Sequence, residues 1–278
     1  MVMGPTHAMS GAAAALAGIA IYTNTVGPVE PTLAATFTIM AAGAALAPDI
    51  DSGGSTVVRS FGIFGNLAHH VANSASVAVY NLTSTRKDGT ISNGHRTLFH
   101  TTVMAIIMGG LVALATASTK TVDLWGENYS WGQINAVILM SVFLNLGLAG
   151  LLEKRIKRAR KQFGPYLLML GSIAGAVIMA YIMPPADGSY AFLGFAVGFG
   201  WYMHLLGDAI TKMGVPMAWP IKIAGRRWYD IATPSFMRIT AGEKFEMKIL
   251  LPIITGITIL LLTYNVLVYF EVFQYFGV

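Results

Sequence analysis

Apolar residues run along this chain in stretches of 18 to 23 positions, each closed by a short polar or Gly/Pro-bearing segment. Stretches of this length match the ~20 residues a helix needs to cross the hydrocarbon of a bilayer. They predict seven spans, over residues 8–26, 31–48, 98–118, 133–152, 165–183, 190–210 and 248–270. The first two are rich in Ala, Gly and Thr rather than Leu, so they insert weakly but pack closely, which places them inside the bundle. After the Ser52-Gly53-Gly54-Ser55 turn, Val57, Phe61, Phe64, Ala68 and Val71 recur at helical spacing. Arg59, Asn66, His69, His70 and Asn73 take the polar positions between them. This pattern predicts an amphipathic helix on the membrane surface. The expected fold is an all-α integral membrane protein, a single domain over residues 1–278. It is a bundle of about seven transmembrane helices with interfacial amphipathic segments on the cytoplasmic side.

Composition agrees with the pattern. Of 278 residues 55% are hydrophobic and 11% charged, against about 25% charged in a soluble domain, and the mean hydropathy is +0.61. Cysteine is absent, which excludes disulfides, a thiol nucleophile and thiolate ligands, so any metal must be held by imidazole nitrogen and carboxylate oxygen. The 15 methionines read as flexible packing residues. No Lys or Arg precedes the first apolar stretch, so the chain start does not read as a signal peptide.

Charge orients the bundle. Segment 49–97 holds Arg59, Arg86, Lys87 and Arg96. Segment 153–162 holds Lys154, Arg155, Lys157, Arg158, Arg160 and Lys161, and 211–248 holds Lys212, Lys222, Arg226, Arg227, Arg238, Lys244 and Lys248. Seven spans place these three segments on one side, with 17 of the 18 basic residues, and leave only Lys120 opposite. Positive charge stays cytoplasmic, so the N-terminus is expected inside and the C-terminus outside. The same asymmetry explains the isoelectric point near 9.4 without nucleic acid, for which no recognisable module is present. Trp219, Trp228 and Tyr229 beside Arg226 and Arg227 are the mix of a headgroup interface. Glu243 and Glu246, beside Lys244 and Lys248, read as solvated loop charges, and His69 and His70 as surface residues of the amphipathic helix.

Four polar clusters remain at span ends on the cytoplasmic side: His7, Asp49 and Asp51 in Pro48-Asp49-Ile50-Asp51, His95 to His100, and His204 with Asp208. Pro48 helps to end the second span and leaves two carboxylates at the membrane edge. His95 is expected at the Asn93-Gly94 turn, with His100 in the first turn of the third span. His204 and Asp208 are an i, i+4 pair on one helix face. Imidazoles and carboxylates gathered at one membrane face are costly unless paired or metal-bound. Six or seven N/O donors exceed one tetrahedral site and match a two-metal hydrolytic centre, with cations about 3.5–4 Å apart. Arg96 would serve a non-bridging phosphate oxygen, and Asp49 or Asp51 a water as general base.

The order Thr6-His7, Ala47-Pro48-Asp49-Ile50-Asp51, His95-Arg96-x3-His100-Thr101 and His204 to Pro220 resembles the YdjM-like inner-membrane metal-dependent hydrolases, bacterial membrane proteins described as phospholipase C-like. The last motif, with Thr211, Gly214, Val215, Trp219 and Pro220, is the most specific. The resemblance implies a bacterial inner-membrane location and carries over His7, Asp49, Asp51, His95, His100, His204 and Asp208 as metal-site residues. Thr97, Phe99, Thr101 and Ser52 depart from the family pattern, which leaves the ligands intact but bears on substrate contacts. The expected function is metal-dependent hydrolysis of a phosphoester in a lipid or lipid-linked substrate at the cytoplasmic leaflet. Zn²⁺ is the expected metal, with Mn²⁺ or Fe as alternatives, and Asp51 and Arg96 the catalytic residues. The rival readings are a metal- or proton-coupled transporter and a non-catalytic membrane scaffold. Oligomeric state is not legible in the sequence.

Overall fold

All seven apolar stretches are helical in the computed structural model, which describes residues 3–124, 126–151, 166–182 and 189–270. The helices are α1 (Gly4–Thr25), α2 (Pro31–Ala44), α3 (Thr56–Ser60), α4 (Ile63–Thr83), α5 (Thr102–Thr116), α6 (Trp131–Leu151), α7 (Tyr166–Ile182), α8 (Phe192–Ala209) and α9 (Leu251–Tyr269). Among the described residues, the helical segments long and apolar enough to cross a membrane are Pro31–Asp51, Trp131–Leu151 and Glu246–Tyr269. Thr102–Thr116 and Leu167–Ile182 are apolar but shorter. The basic run 153–162 lies outside the described residues.

Local chemistry sets the ends. Glu30 caps α2 by accepting the Leu33 N–H at 3.0 Å, with Pro31 next to it, the position where a missing N–H costs nothing. Helix α2 stops at Ala44, before the predicted end at 48. Residues Ala47–Asp51 then form a 3-10 turn with Pro48 near its start. The third span begins at Thr102, capped by Thr101, whose hydroxyl accepts from the Met104 N–H at 3.2 Å. A serine would cap in the same way, so this departure from the family pattern preserves the helix start. The predicted amphipathic helix is divided. Gly62 takes φ +56° between α3 and α4, a conformation glycine reaches without steric cost, and α4 then continues to Thr83. A hairpin that the helical pattern missed, Thr121–Leu124 with Glu127–Ser130, joins α5 to α6.

Small residues let the helices close on one another. A Cβ on Gly43 would lie 2.0 Å from the Phe143 carbonyl oxygen, so α2 and α6 touch backbone to backbone. Gly11 of α1 and Gly200 of α8 both press on Ala41 of α2. The Ala-rich α1 and α2 thus sit inside the packing, as their composition predicts. Gly11 lies four residues after His7 and Gly200 four before His204, so this contact brings both imidazoles to one level. The core includes Met40, Leu46, Met140, Phe143, Leu146 and Leu193. By contrast α9 buries no residue and leaves Leu260 71% exposed. A helix this apolar and this exposed suits lipid rather than water.

Glu246 is not a solvated loop charge. It is fully buried and accepts the Met3 and Gly242 N–H groups, each at 2.7 Å, tying the start of α1 to the entry of α9.

Residues 224–228 lie against the end of α4 and the turn after it. Trp228 stacks between Tyr80 and Trp219, with ring centroids 4.9 and 5.1 Å away. Asp88 accepts from the backbone N–H groups of Thr85, Arg227 and Trp228 and from the Thr85 hydroxyl, at 2.7 to 3.2 Å. Burial raises the Asp88 pKa, but these donors outweigh it and hold the carboxyl below its usual value. Its contribution is therefore complete above the ordinary carboxylate pKa of about 3.9 and fades as pH falls through the lowered folded value. Asp88→Ala should lower stability at neutral pH by on the order of 1 kcal/mol, and by less in acid below that value. Thermal melts at the two pH values check this.

Candidate metal centre

The chain turns back to the same place four times. His7 stands one turn into α1, Asp49 and Asp51 on the 3-10 turn after α2, His100 on the 3-10 turn before α5, and His204 and Asp208 on the last turns of α8. His7, His100, His204 and Asp208 are fully buried, Asp49 and Asp51 nearly so. The His7 and His204 rings stack, centroids 3.8 Å apart and planes at 18°. Asp49, Asp51, His95 and His100 can each offer a ligand atom within 4.8 Å of one another, and so can His7, His204 and Asp208.

Closer distances join these two groups. The Nε2 atoms of His100 and His204 are 3.2 Å apart. Asp49 Oδ1 lies 3.7 Å from His100 Nε2 and 3.6 Å from His204 Nε2. Asp208 Oδ2 lies 3.7 Å from each of the same two nitrogens. Four donors around one ion with bonds of 2.0–2.2 Å are separated by about 3.3–3.6 Å. The observed edges fall around that range.

Tautomers follow from the partners. His204 Nδ1 is 2.8 Å from the Ala45 carbonyl oxygen, which only accepts, so Nδ1 carries the proton and Nε2 turns a lone pair inward. Asp51 Oδ1 is 2.8 Å from His95 Nδ1, and Oδ2 is 3.3 Å from His100 Nδ1 and accepts the Arg96 N–H at 3.2 Å. Asp51 thus turns the Nε2 of His100 toward that of His204. Two ring lone pairs repel unless a proton or a cation lies between them. Asp49 Oδ1 is buried and has no hydrogen-bond donor among the described residues. A buried anionic oxygen beside facing imidazole lone pairs is a donor set that fits a divalent cation.

The structure brings together every residue the sequence nominated, in unequal positions. His95 is the most open, with 27% of its side chain exposed. It borders a polar cleft of about 340 Å³ shared with Asp51, Ser52, His69 and Asn93. Arg96 is buried at φ +60°, its Nη2 3.2 Å from Asp208 Oδ2 and its Nη1 donating to the Thr211 hydroxyl and the Gly214 carbonyl. It therefore ties the His204–Pro220 motif to the centre.

Sequence reasoning missed two supports on α4. His69 Nδ1 donates to the Ile50 carbonyl at 3.0 Å, so it is more than a surface residue, while His70 is exposed. Asn73 Nδ2 donates to the Asp51 carbonyl at 3.2 Å and to Asn93 Oδ1, which also accepts the His95 N–H, both at 3.0 Å. Their i, i+4 spacing on one face of an amphipathic helix was the available clue. Phe99 gives its carbonyl to the Trp201 indole N–H at 2.8 Å, which fixes the His100 turn against α8.

No curated protein and no solved structure matches the chain. A family model described as YdjM inner membrane protein matches residues 1–150 and 168–274. These ranges hold all seven nominated ligands and every element that positions them. The chain therefore belongs to the YdjM inner membrane protein family.

Proposed function

We propose that this protein is a metal-dependent hydrolase of a phosphoester in a membrane lipid or lipid-linked substrate. The reading rests on one observation: four buried donors from sequence-distant elements, Asp49, His100, His204 and Asp208, converge at the spacing of one coordination sphere. A divalent cation held there supplies Lewis acidity to a phosphoryl oxygen and acidifies a water. With nitrogen and oxygen donors alone Zn²⁺ is the first candidate, and Mn²⁺ or Fe the next.

In this reading Asp49, His100 and His204 are the permanent ligands, the three-residue pattern of catalytic sites. Asp208 would line the remaining position, which a catalytic site keeps for water, and would be the carboxylate that accepts that water's proton. His7 backs it, with Nε2 3.4 Å from Asp208 Oδ1. Arg96 supplies the fixed positive charge for a phosphoryl oxygen. In this reading Asp51 would orient His95 and His100, whose Nδ1 atoms lie 2.8 and 3.3 Å from its two oxygens. The test is elemental analysis of the purified protein together with mass spectrometry of lipid products. Tight metal with no phosphoester cleaved under any condition refutes the hydrolase and favours a transporter.

The site lies at helix ends, and we place those ends at the cytoplasmic leaflet of a bundle with seven spans. The 17-to-1 distribution of basic residues supports this. The chain has no cysteine, so single-cysteine labelling is clean. Lys222→Cys should be protected from an impermeant thiol reagent in intact cells and Lys120→Cys labelled. Labelling of both from outside overturns the orientation.

A further inference from the structure

Beside the metal centre runs an apolar groove of about 650 Å³, within the ~300–1,000 Å³ of ligand pockets. Phe64, Leu67 and Val71 of α4 form one wall, and Val142 and Leu146 of α6 the other. Phe64, Leu67 and Val71 are 63 to 80% exposed. No charged residue lines the groove, and its one polar side-chain group, the Trp201 indole N–H, is already given to the Phe99 carbonyl. Nothing in it can orient a polar ligand, so its occupant is hydrocarbon at that point.

The groove is continuous with the site. Ile50, between Asp49 and Asp51, lines it, as do Phe99, next to His100, and Trp201, one turn before His204. On α4 consecutive residues divide the two cavities. Ala68 and Ala72 line the groove, while His69 and Asn73 line the polar cleft. Ile50 and Asp51 divide them again on the acidic turn. The amphipathic character of α4 therefore separates a tail side from a head side of the same centre. An inner membrane protein has one abundant molecule of that form at hand, and the groove opens along apolar side chains that lipid would solvate.

We propose that the groove binds one acyl chain of a phospholipid, with the phosphate reaching the metal centre. For turnover this rests on the hydrolase reading; for occupancy it does not. The full-length protein in nanodiscs would be irradiated with a phospholipid carrying a diazirine at the end of one acyl chain, and labelled peptides mapped. Peptides spanning 63–75 and 139–151 should be labelled several-fold more than the 251–260 half of α9, where the exposed Ile253, Ile259 and Leu260 report ordinary surrounding lipid. Ala68→Phe, which fills the groove, should remove that excess and leave metal content unchanged. Val71→Ser, a smaller change on the same wall, should reduce it and serves if Ala68→Phe does not fold. Labelling equal on α4 and α9, labelling indifferent to both variants, or α4 cross-linked to a second copy of the chain overturns the groove. Selective labelling without any hydrolysis leaves the groove standing and sinks only the hydrolase reading.

Discussion

His204→Ala should strip the protein of metal and of turnover together. The His204 ring alone joins three features of the centre: Nδ1 fixed on the Ala45 carbonyl, Nε2 facing His100, and the stack on His7. Its loss should cost more metal affinity than the about 10–100-fold typical of an outer partner. Asp51→Asn provides the comparison. If Asp51 only orients His95 and His100, metal affinity should fall within that 10–100-fold range and metal should still load at higher concentration. If Asp51 is itself a ligand, the two variants should behave alike. Arg96→Ala should keep metal and lose turnover, because Arg96 is assigned to charge that develops in the transition state. Metal titration of the three variants, followed by turnover at saturating metal, separates the roles. Full metal occupancy and activity in His204→Ala would refute the centre as drawn.

Chelation should destabilise the wild-type protein strongly, and Asp49→Asn should abolish that sensitivity. Among the described residues the buried Asp49 Oδ1 has no hydrogen-bond donor, and a buried charge left so without a cation is costly. A ligand present at 1,000 times its dissociation constant stabilises by ~4 kcal/mol, which corresponds to a shift in Tm on the order of 10 °C for a chain of this size. Metal-free wild type should therefore melt that much lower than the loaded protein. Asp49→Asn exchanges the buried charge for a neutral amide, so it should bind no metal yet melt no lower than metal-free wild type. A scan with and without chelator checks both. A melting temperature indifferent to chelator in the wild type would mean that the cluster is satisfied by shared protons instead of a cation.

Much of the architecture was legible because a bilayer punishes irregularity. A long apolar run in lipid must satisfy its backbone internally, so helix was the expected outcome for each of the seven stretches, and three of the resulting helical segments are long and apolar enough to cross a membrane among the described residues. That these residues converge was legible for the complementary reason: in a chain with 11% charged residues, His and Asp at span ends are costly unless they meet partners. Shorter features depended on contacts that composition does not encode. The hairpin at 121–130 is too brief for a period to register, and the break at Gly62 reflects one backbone angle inside an unbroken apolar pattern. Glu246 looked like a loop charge because its partners, Met3 and Gly242, are backbone groups, one of them 243 residues away.

The sequence by itself determined a helical membrane protein of the YdjM type and the seven residues of its candidate centre, because hydropathy and side-chain chemistry are local properties. The tertiary structure alone decided how those seven divide. Packing of Gly11 and Gly200 on Ala41 sets His7 against His204, and the Ala45 carbonyl fixes the His204 tautomer. Among the described residues Asp51 faces two imidazoles and an N–H, while the nearby Asp49 Oδ1 has no hydrogen-bond donor. Two aspartates two residues apart thus acquire different surroundings, because hydrogen-bond satisfaction depends on groups that only folding brings near.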